Sequence, residues 1–503
     1  MKNPLITRLA LEFEGTGDRQ PDAAAPQAAE PPLVVDVDGT LVRTDLLVES
    51  AVHLLMSRPL DAVRLPFWLL AGKDRLKTEI ADRIALEIDT LPLDGKVLAF
   101  MAAAKTAGRE VYLASASDAR VVAALAARVG GVDGIFATGP GVNLAGRAKR
   151  DRLVAAFGEG GFDYIGNSAA DVAVWEAARR GYVIRNGFAD PGKRYTVAER
   201  PLEVLARNPF TLKSVLKAAR VHQWAKNVLL FVPLVLGGGV FDSDTVLRAL
   251  LCFLAFGLLA SATYIANDVI DVQNDRRHRS KRHRPLASGA LSIPFALLLV
   301  LGGGGLGLAL GALLGTPVLL GLLGYTALTF AYSWRLKRVP VLDTALLAGL
   351  YTWRLFVGIL VAGVMLSPWL LVFSFAFFLS LSLAKRHTEI AGMAAAGRDA
   401  LPGRGYRTVD GPLVMAMGVA AGVSSLLVFV LYLIEGAFAA ATFTLPQALW
   451  ALPVILLLWL GRVWLLCGRG ELHDDPVEFA VVDHTSHFLG GLAAATVIVA
   501  LLA

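Results

Sequence analysis

The distribution of apolar residues along the chain constrains its fold more than any other feature of the sequence. Before about residue 226 the apolar stretches are short and broken by charge, whereas beyond it they lengthen into runs suited to hydrocarbon. A spanning helix needs about 20 such residues. Nine runs stand near 227 to 243, 247 to 270, 291 to 312, 315 to 333, 339 to 362, 367 to 384, 412 to 434, 446 to 467 and 485 to 503. A 503-residue chain that is 55% hydrophobic is too apolar for one soluble globule. The sequence therefore predicts a soluble α/β module followed by an all-α membrane module of about nine transmembrane helices.

Loop charge orients this layout. RRHRSKRHR, RLKR, KRHTEI through GRGYR, and GRGELHDD fall in alternate loops, while FDSDT, LGT, MLSP and EGAFAAATFTLP contain no Lys or Arg. By the positive-inside bias, the leading module and the four polar loops face the cytoplasm of a bacterial inner membrane, with the carboxyl terminus outside. The net charge of +6 reads as that bias and not as nucleic-acid binding. Cys252 and Cys467 both lie inside apolar runs, which suggests neither a disulfide framework nor a cysteine metal site. Residues 1–31, with PDAAAPQAAEPP, have no continuous apolar core of a signal peptide and predict a disordered tail.

Over residues 32–205, LVVDVD, EVYLAS, GIFAT, FDYIG and YVIRN read as strands separated by amphipathic helices, the pattern of a parallel sheet. The helical stretch from 45 to 105 is expected to cap the carboxyl edge of that sheet. Asp36-Val37-Asp38-Gly39-Thr40 closes the first strand. A carboxylate at the tip of a parallel strand lies in the crevice where such sheets bind ligands, and a second one two residues on shares a cation or moves a proton.

On these residues the segment 33–185 resembles the haloacid dehalogenase superfamily of aspartyl-phosphate phosphatases. The resemblance implies Asp36 as nucleophile and Asp38 as general acid and base. It implies Ser115 (with Ser117 the lesser choice) and Lys149, in GRAKRDRL, on the phosphate. Asp171, in GNSAADVAVW, joins Asp36 and Asp38 as a magnesium ligand. Gly166-Asn167 departs from the commoner Gly-Asp of that superfamily; Asn coordinates through its carbonyl but brings no charge.

In the membrane module, Asn267, Asp268, Asp271 and Asp275 follow the second apolar run in SATYIANDVIDVQND. On one helix they share about a quarter of the circumference. Three carboxylates on one face repel one another, and the negative end of the helix dipole adds to the cost. Magnesium, which takes one or two carboxylates plus phosphate oxygens, resolves the conflict. Pairing with Arg276, Arg277 or Lys281 competes, but the cations continue through HRSKRHRPLASG, a density suited to phosphates.

NDVIDVQND, the basic RHRPLASG and the surrounding spans resemble the UbiA superfamily of intramembrane prenyltransferases from about residue 212 onward. The resemblance implies that Asp268, Asp271 and Asp275, with Asn267, hold magnesium and a diphosphate. The second Asp-rich motif usual in that family is replaced by Lys385-Arg386-His387-Thr388-Glu389 and by Arg398, Arg404, Tyr406 and Arg407. Acidic residues appear later instead, as Asp474, Asp475 and Asp483. With RVHQWAKN before the first span, this is similar to decaprenyl-phosphate phosphoribosyltransferases.

That similarity implies magnesium-dependent transfer of ribose 5-phosphate from phosphoribosyl diphosphate to a polyprenyl phosphate. Phosphate contacts are then expected from Lys226, Asn227, Lys281, Arg282, Arg284, Lys337, Lys385 and Arg386, and ribose or substrate contacts from Asp475 and Asp483. The phosphatase-like domain would remove the 5-phosphate of the product. The alternative is transfer from a prenyl diphosphate to an aromatic acceptor, beside a regulatory or degenerate phosphatase-like domain.

Overall fold

Asp36 owes its position to a parallel strand buried on both faces. The computed structural model describes residues 30–139, 142–187, 201–237, 242–401, 403–438, 443–472 and 476–502. The expected tail falls almost entirely outside the described residues, and Asp474 and Asp475 fall outside them too. The chain divides into two compact units, Met1–Ala219 with Tyr264–Leu299, and Arg220–Thr263 with Val300–Ala503.

The first unit holds strands β1 (Leu33–Asp36), β2 (Val111–Asp118), β3 (Gly134–Thr138), β4 (Asp163–Gly166), β5 (Gly181–Asn186) and β6 (Glu203–Asn208). They form one sheet in the order β3-β2-β1-β4-β5-β6, and every pairing is parallel. Leu33 and Val35 pack into one core with Val97, Met101 and Leu113, while Val34 faces Tyr164, Val174 and Trp175 on the other side. This double burial explains the unbroken apolar run of β1. The strand order reverses at β1, so its carboxyl end opens on the crevice at the switch point.

The sheet has one strand more than the sequence predicts, and the expected boundary at 205 falls inside β6. EVLARN is an edge strand with Glu, Arg and Asn among its six residues, so no apolar run announced it. Helix Leu46–Ser57 starts where the Asp45 carboxylate accepts the Val48 N–H at 2.9 Å, and its first N–H, from Leu46, reaches Asp38 Oδ1 at 2.8 Å. Together with helix Lys73–Ala81 it covers the carboxyl edge, as the 45–105 segment predicts.

The same unit includes the end of helix Ser243–Ile270, the short helix Val272–Arg277, a 3-10 turn at Lys281–His283 and the start of helix Ile293–Leu314.

Among the described residues, eight helices are long and apolar enough to cross a membrane: Ser243–Ile270, Ile293–Leu314, Thr316–Trp334, Leu342–Ala362, Pro368–Ala395, Thr408–Ala437, Pro446–Gly468 and His484–Leu502. The chain is a multi-pass membrane protein. The first expected span differs: it is a 3-10 stretch Val221–Phe231 followed by a short helix Val232–Leu236. Pro233 near the start of that helix cannot donate a backbone hydrogen bond, so it restarts the winding instead of continuing it.

Candidate functional site

After β1 the chain turns through Gly39, whose φ is +72° and whose missing Cβ would lie 2.1 Å from Asn167 Nδ2. Only glycine admits both the left-handed backbone and the close approach. Asp36 accepts hydrogen bonds from Lys149 Nζ at 2.7 Å and Thr40 Oγ1 at 3.1 Å. Lys149, on helix Arg147–Phe157, also lies 3.4 Å from Asp171 Oδ1 and 3.0 Å from the Tyr164 hydroxyl. The other oxygen of Asp171 accepts from the N–H groups of Asn167 and Ser168 and from Ser168 Oγ. Asp38 has a different set of partners and accepts from Leu46 N–H (2.8 Å), Ser115 Oγ (3.0 Å) and Ser117 Oγ (2.7 Å).

Burial pushes the Asp36 carboxyl up to about 7; Lys149 opposes the rise, and the neighbouring Asp171 and Asp38 add to it. Burial works against the Lys149 ammonium, yet the facing Asp36 and Asp171 hold it above its ordinary value. The expected three-carboxylate set of Asp36, Asp38 and Asp171 is not formed. Among the described residues no three His, Cys, Asp or Glu side chains converge on a cation position. Lys149 stands between Asp36 and Asp171 and supplies the positive charge there. Two carboxylates about one cationic nitrogen still suit magnesium, which completes its shell with waters and substrate phosphate.

Lys77, on helix Lys73–Ala81, was not expected. Its ammonium donates to Ala116 O at 2.6 Å and Asn143 Oδ1 at 2.8 Å, and it lines a small cavity with Leu46, Ser117 and Asp118. The sequence signal was faint: Lys77 stands beside Leu76 and three before Ile80, on the apolar face of DRLKTEIADR.

The Asp-rich segment is not one continuous helix. The long helix ends at Ile270, Asp271 occupies the break with φ −92° and ψ 8°, and Asp275 sits on the short helix that follows. Asp268 and Asp275 are both buried, and both reach Arg284 Nη1, at 3.1 and 2.7 Å. Asp271 is half-buried and does not complete a three-ligand group. The expected triad is thus corrected to a pair, because Arg284 gathers Asp268 and Asp275 while Asp271 stands between the two helices. Arg284, expected on phosphate, is instead the counter-ion of that pair. Its guanidinium nitrogen marks a cation position that two buried carboxylates share, and this is the donor set magnesium uses beside phosphate oxygens. Asn267 is half-buried in the preceding turn, and Lys281 and Arg282 are exposed on the 3-10 turn. Arg276 and Arg277, the competing partners, bond Glu49 and Glu87 instead.

In the second unit, Arg354 of helix Leu342–Ala362 donates to Asn227 Oδ1 (3.0 Å), Leu350 O (2.7 Å) and the Tyr325 hydroxyl (2.8 Å). Its guanidinium lies 4.9 to 5.5 Å from the rings of Phe256, Tyr325 and Tyr351. It is 5% exposed, and among the described residues it pairs with no carboxylate. Asn227 is also buried, and its Nδ2 has no hydrogen-bond partner among the described residues. Lys226 stands over the Tyr351 ring at 5.7 Å. The sequence singles out Lys226 and Asn227 but not Arg354, although a lone arginine inside LLAGLYTWRLFVGILVAG is itself a signal.

Asp343, fully buried, faces Arg386 Nη2 at 2.7 Å, Arg404 Nη1 at 3.2 Å and the Tyr406 hydroxyl at 2.7 Å. Arg386 also bonds Glu389. The expectation of a phosphate contact at Arg386 is therefore corrected: two carboxylates already neutralise it, and it has no exposure. Lys337 and Lys385 are half-buried, on the turn Leu336–Arg338 and on helix Pro368–Ala395. Asp483 is corrected as well. It pairs with Arg462 at 2.7 and 3.0 Å and caps helix His484–Leu502 by accepting from Ser486 N–H and Oγ. Asp475 lies outside the described residues.

Residues 228–481 match the model of the UbiA prenyltransferase family. The chain belongs to that family. This UbiA member is 39% identical to a Sinorhizobium fredii protein named "Uncharacterized protein y4nM", over 93% of this chain and 91% of that one. It is 36% identical to the decaprenyl-phosphate phosphoribosyltransferase of Corynebacterium glutamicum over 35% of this chain, and the match spans 54% of that relative's length. A solved UbiA homolog from Archaeoglobus fulgidus, bound to GPP and Mg2+, is 18% identical with a TM-score of 0.44, covering 57% of this chain and 98% of its own.

Proposed function

We propose that this UbiA family transferase moves ribose 5-phosphate from phosphoribosyl diphosphate to a polyprenyl phosphate, with magnesium, at the cytoplasmic face of a bacterial inner membrane. The N-terminal domain, residues 32–208, is in this reading a haloacid dehalogenase-like phosphatase that removes the 5-phosphate of the product. The observation that carries the choice of substrates is Arg354. A guanidinium buried in an apolar helix with no carboxylate partner among the described residues leaves room for an anion from outside the chain. The Asn227 Nδ2 beside it, without a partner among the described residues, adds a donor for the same group. The kinship with decaprenyl-phosphate phosphoribosyltransferases points to a lipid phosphate as that group.

In the transfer, an oxygen of the lipid phosphate attacks the anomeric carbon of the ribose. A new carbon–oxygen bond forms there while the bond to the diphosphate oxygen breaks, and the diphosphate departs with the electron pair. The attacking oxygen is already anionic and needs no general base, so positioning and charge compensation dominate. Asp268 and Asp275 would hold magnesium, which neutralises charge on the departing diphosphate. Arg284, which pairs with both carboxylates, occupies the cation position that the ion would take. In the second step Asp36 attacks the 5-phosphate while Asp38 gives a proton to the leaving ribose oxygen. Asp38 then takes a proton from the water that hydrolyses the aspartyl phosphate, and Lys149 offsets the phosphoryl charge.

The test uses phosphoribosyl diphosphate labelled in its ribose, polyprenyl phosphate and magnesium. Intact protein should yield lipid-soluble label, and Asp268→Asn and Asp275→Asn should not. Phosphate release from the purified lipid product should survive in Asp275→Asn and vanish in Asp36→Asn. Transfer from a prenyl diphosphate to an aromatic acceptor, with none from phosphoribosyl diphosphate, would overturn the reading.

A further inference from the structure

One helix of the first unit touches both the Asp36 cluster and the Asp-rich segment. The amino end of Leu46–Ser57 bonds Asp38 through the Leu46 N–H. One turn on, Glu49, 1% exposed, meets Arg276 side by side: Nη2 lies 3.0 Å from Oε2, and Nη1 bonds Oε1. The remaining Arg276 donor, Nε, reaches Ala287 O at 3.1 Å. Arg276 follows Asp275 directly on the short helix Val272–Arg277, so the residue that anchors this helix is the neighbour of one that faces the shared cation position.

The pair does not stand alone. Arg277 bonds Glu87, Lys217 Nζ donates to His283 O at 3.3 Å, and Phe210 stacks on Phe295 with centroids 5.1 Å apart. Gly289, at φ +71°, comes so close to Arg43 that an added Cβ would lie 2.6 Å from Arg43 Cβ. The segment after Asp271 is therefore gripped by the domain that carries Asp36. A buried ion pair contributes little net stability relative to apolar side chains of the same volume, whereas its two-point geometry is specific. Its use here is to fix the orientation of a helix only six residues long.

We infer that Glu49 is a positioning residue of the transferase site. By holding Arg276 it keeps Asp275 converged with Asp268, so the metal-binding geometry of the Asp-rich segment depends on the soluble domain fused in front of it. The functional part of this inference rests on the proposed role of Asp268 and Asp275. The structural part does not, and the two are tested separately.

The experiment compares wild type, Glu49→Gln and Glu49→Asp as full-length protein. Without any substrate, amide hydrogen exchange over residues 272–277 should be about 10-fold or more faster in Glu49→Gln, since a charged hydrogen-bonded partner is lost. Glu49→Asp, which keeps the charge on a shorter arm, should fall between. With substrates, the magnesium concentration for half-maximal transfer should rise on the order of 10- to 100-fold in Glu49→Gln. Phosphate release at the Asp36 site should keep its own magnesium requirement. A loss of folded protein alone would lower both activities together and leave both magnesium requirements unchanged, which would overturn the inference. Unchanged exchange at 272–277 in folded Glu49→Gln would also overturn it. If Glu49→Gln does not fold, Glu49→Asp decides by the same two readouts. Should wild type transfer no ribose phosphate, the proposed chemistry fails while the exchange result still judges the positioning role.

Discussion

Replacing Arg354 with methionine removes a buried guanidinium while keeping most of its length. The loss includes three hydrogen bonds, to Asn227, Leu350 and Tyr325, each of about 0.5–1.5 kcal/mol net, and contacts to three aromatic faces of about 0.5–1 kcal/mol each. Against this stands the cost of keeping an ion out of water, still several kcal/mol per charge in a protein interior. The opposing contributions nearly cancel, so Arg354→Met should shift the melting temperature by no more than a few degrees. Substrate binding has no such compensation. A charge-assisted hydrogen bond to phosphate contributes about 1.5–3 kcal/mol, so half-saturation by polyprenyl phosphate should move up roughly 10- to 150-fold. Arg354→Lys keeps the charge but loses the planar fork and should lie between. The assay is the initial rate of lipid-soluble label against polyprenyl phosphate concentration, with thermal melts of the same preparations. A variant that melts many degrees lower yet saturates at the wild-type lipid concentration would show that the arginine only supports the helices around it.

Asp36→Asn should abolish phosphate release and, in chelator, stabilise the protein. The folded carboxyl stays protonated up to about 7, whereas the unfolded one ionises near its ordinary 3.8. Wild-type stability therefore falls as pH rises between those values, and the advantage of the Asp36→Asn variant should grow over that window to ~2–4 kcal/mol and then level off, as melts from pH 3 to 9 would show. Asp163 behaves oppositely: burial raises its carboxyl, but Arg179 and Arg109 prevail and hold it below the ordinary value. Its contribution is present above the unfolded value and lost as pH falls through the folded one. Asp163→Asn should thus cost about 3–5 kcal/mol near neutrality, with the gap to wild type closing in acid. Chelation of divalent cations should stop both lipid labelling and phosphate release, and magnesium should restore both; full rates in chelator would remove the ion from both steps.

Much of the site was legible because its residues are tied to strong local patterns. Asp36 closes a strand whose burial on both faces makes a continuous apolar run, and Lys149 and Asp171 stand at the helix starts after later strands. The Asp-rich segment announced itself as clustered carboxylates beside a long apolar helix. Its internal geometry was not legible, because 100° periodicity groups the carboxylates but cannot show that Arg284, beyond the helix, pairs with only two of them. Arg386 and Asp483 were misassigned for a related reason. Their partners, Asp343 and Arg462, are 43 and 21 positions away in sequence, and only packing shows that these charges are already matched.

From its sequence alone this chain is determined to be a parallel α/β domain joined to a bundle of membrane-spanning helices, because apolar run length and period depend on neighbouring residues only. Tertiary structure decided which charges are spoken for and which are left open. It matched Arg284 to two aspartates, Arg276 to Glu49 and Arg386 to Asp343, and left Arg354 among aromatic rings with no carboxylate partner among the described residues. Such pairing depends on residues distant in sequence meeting in a low-dielectric interior, where a charge must find its counter-ion or wait for a ligand to bring one.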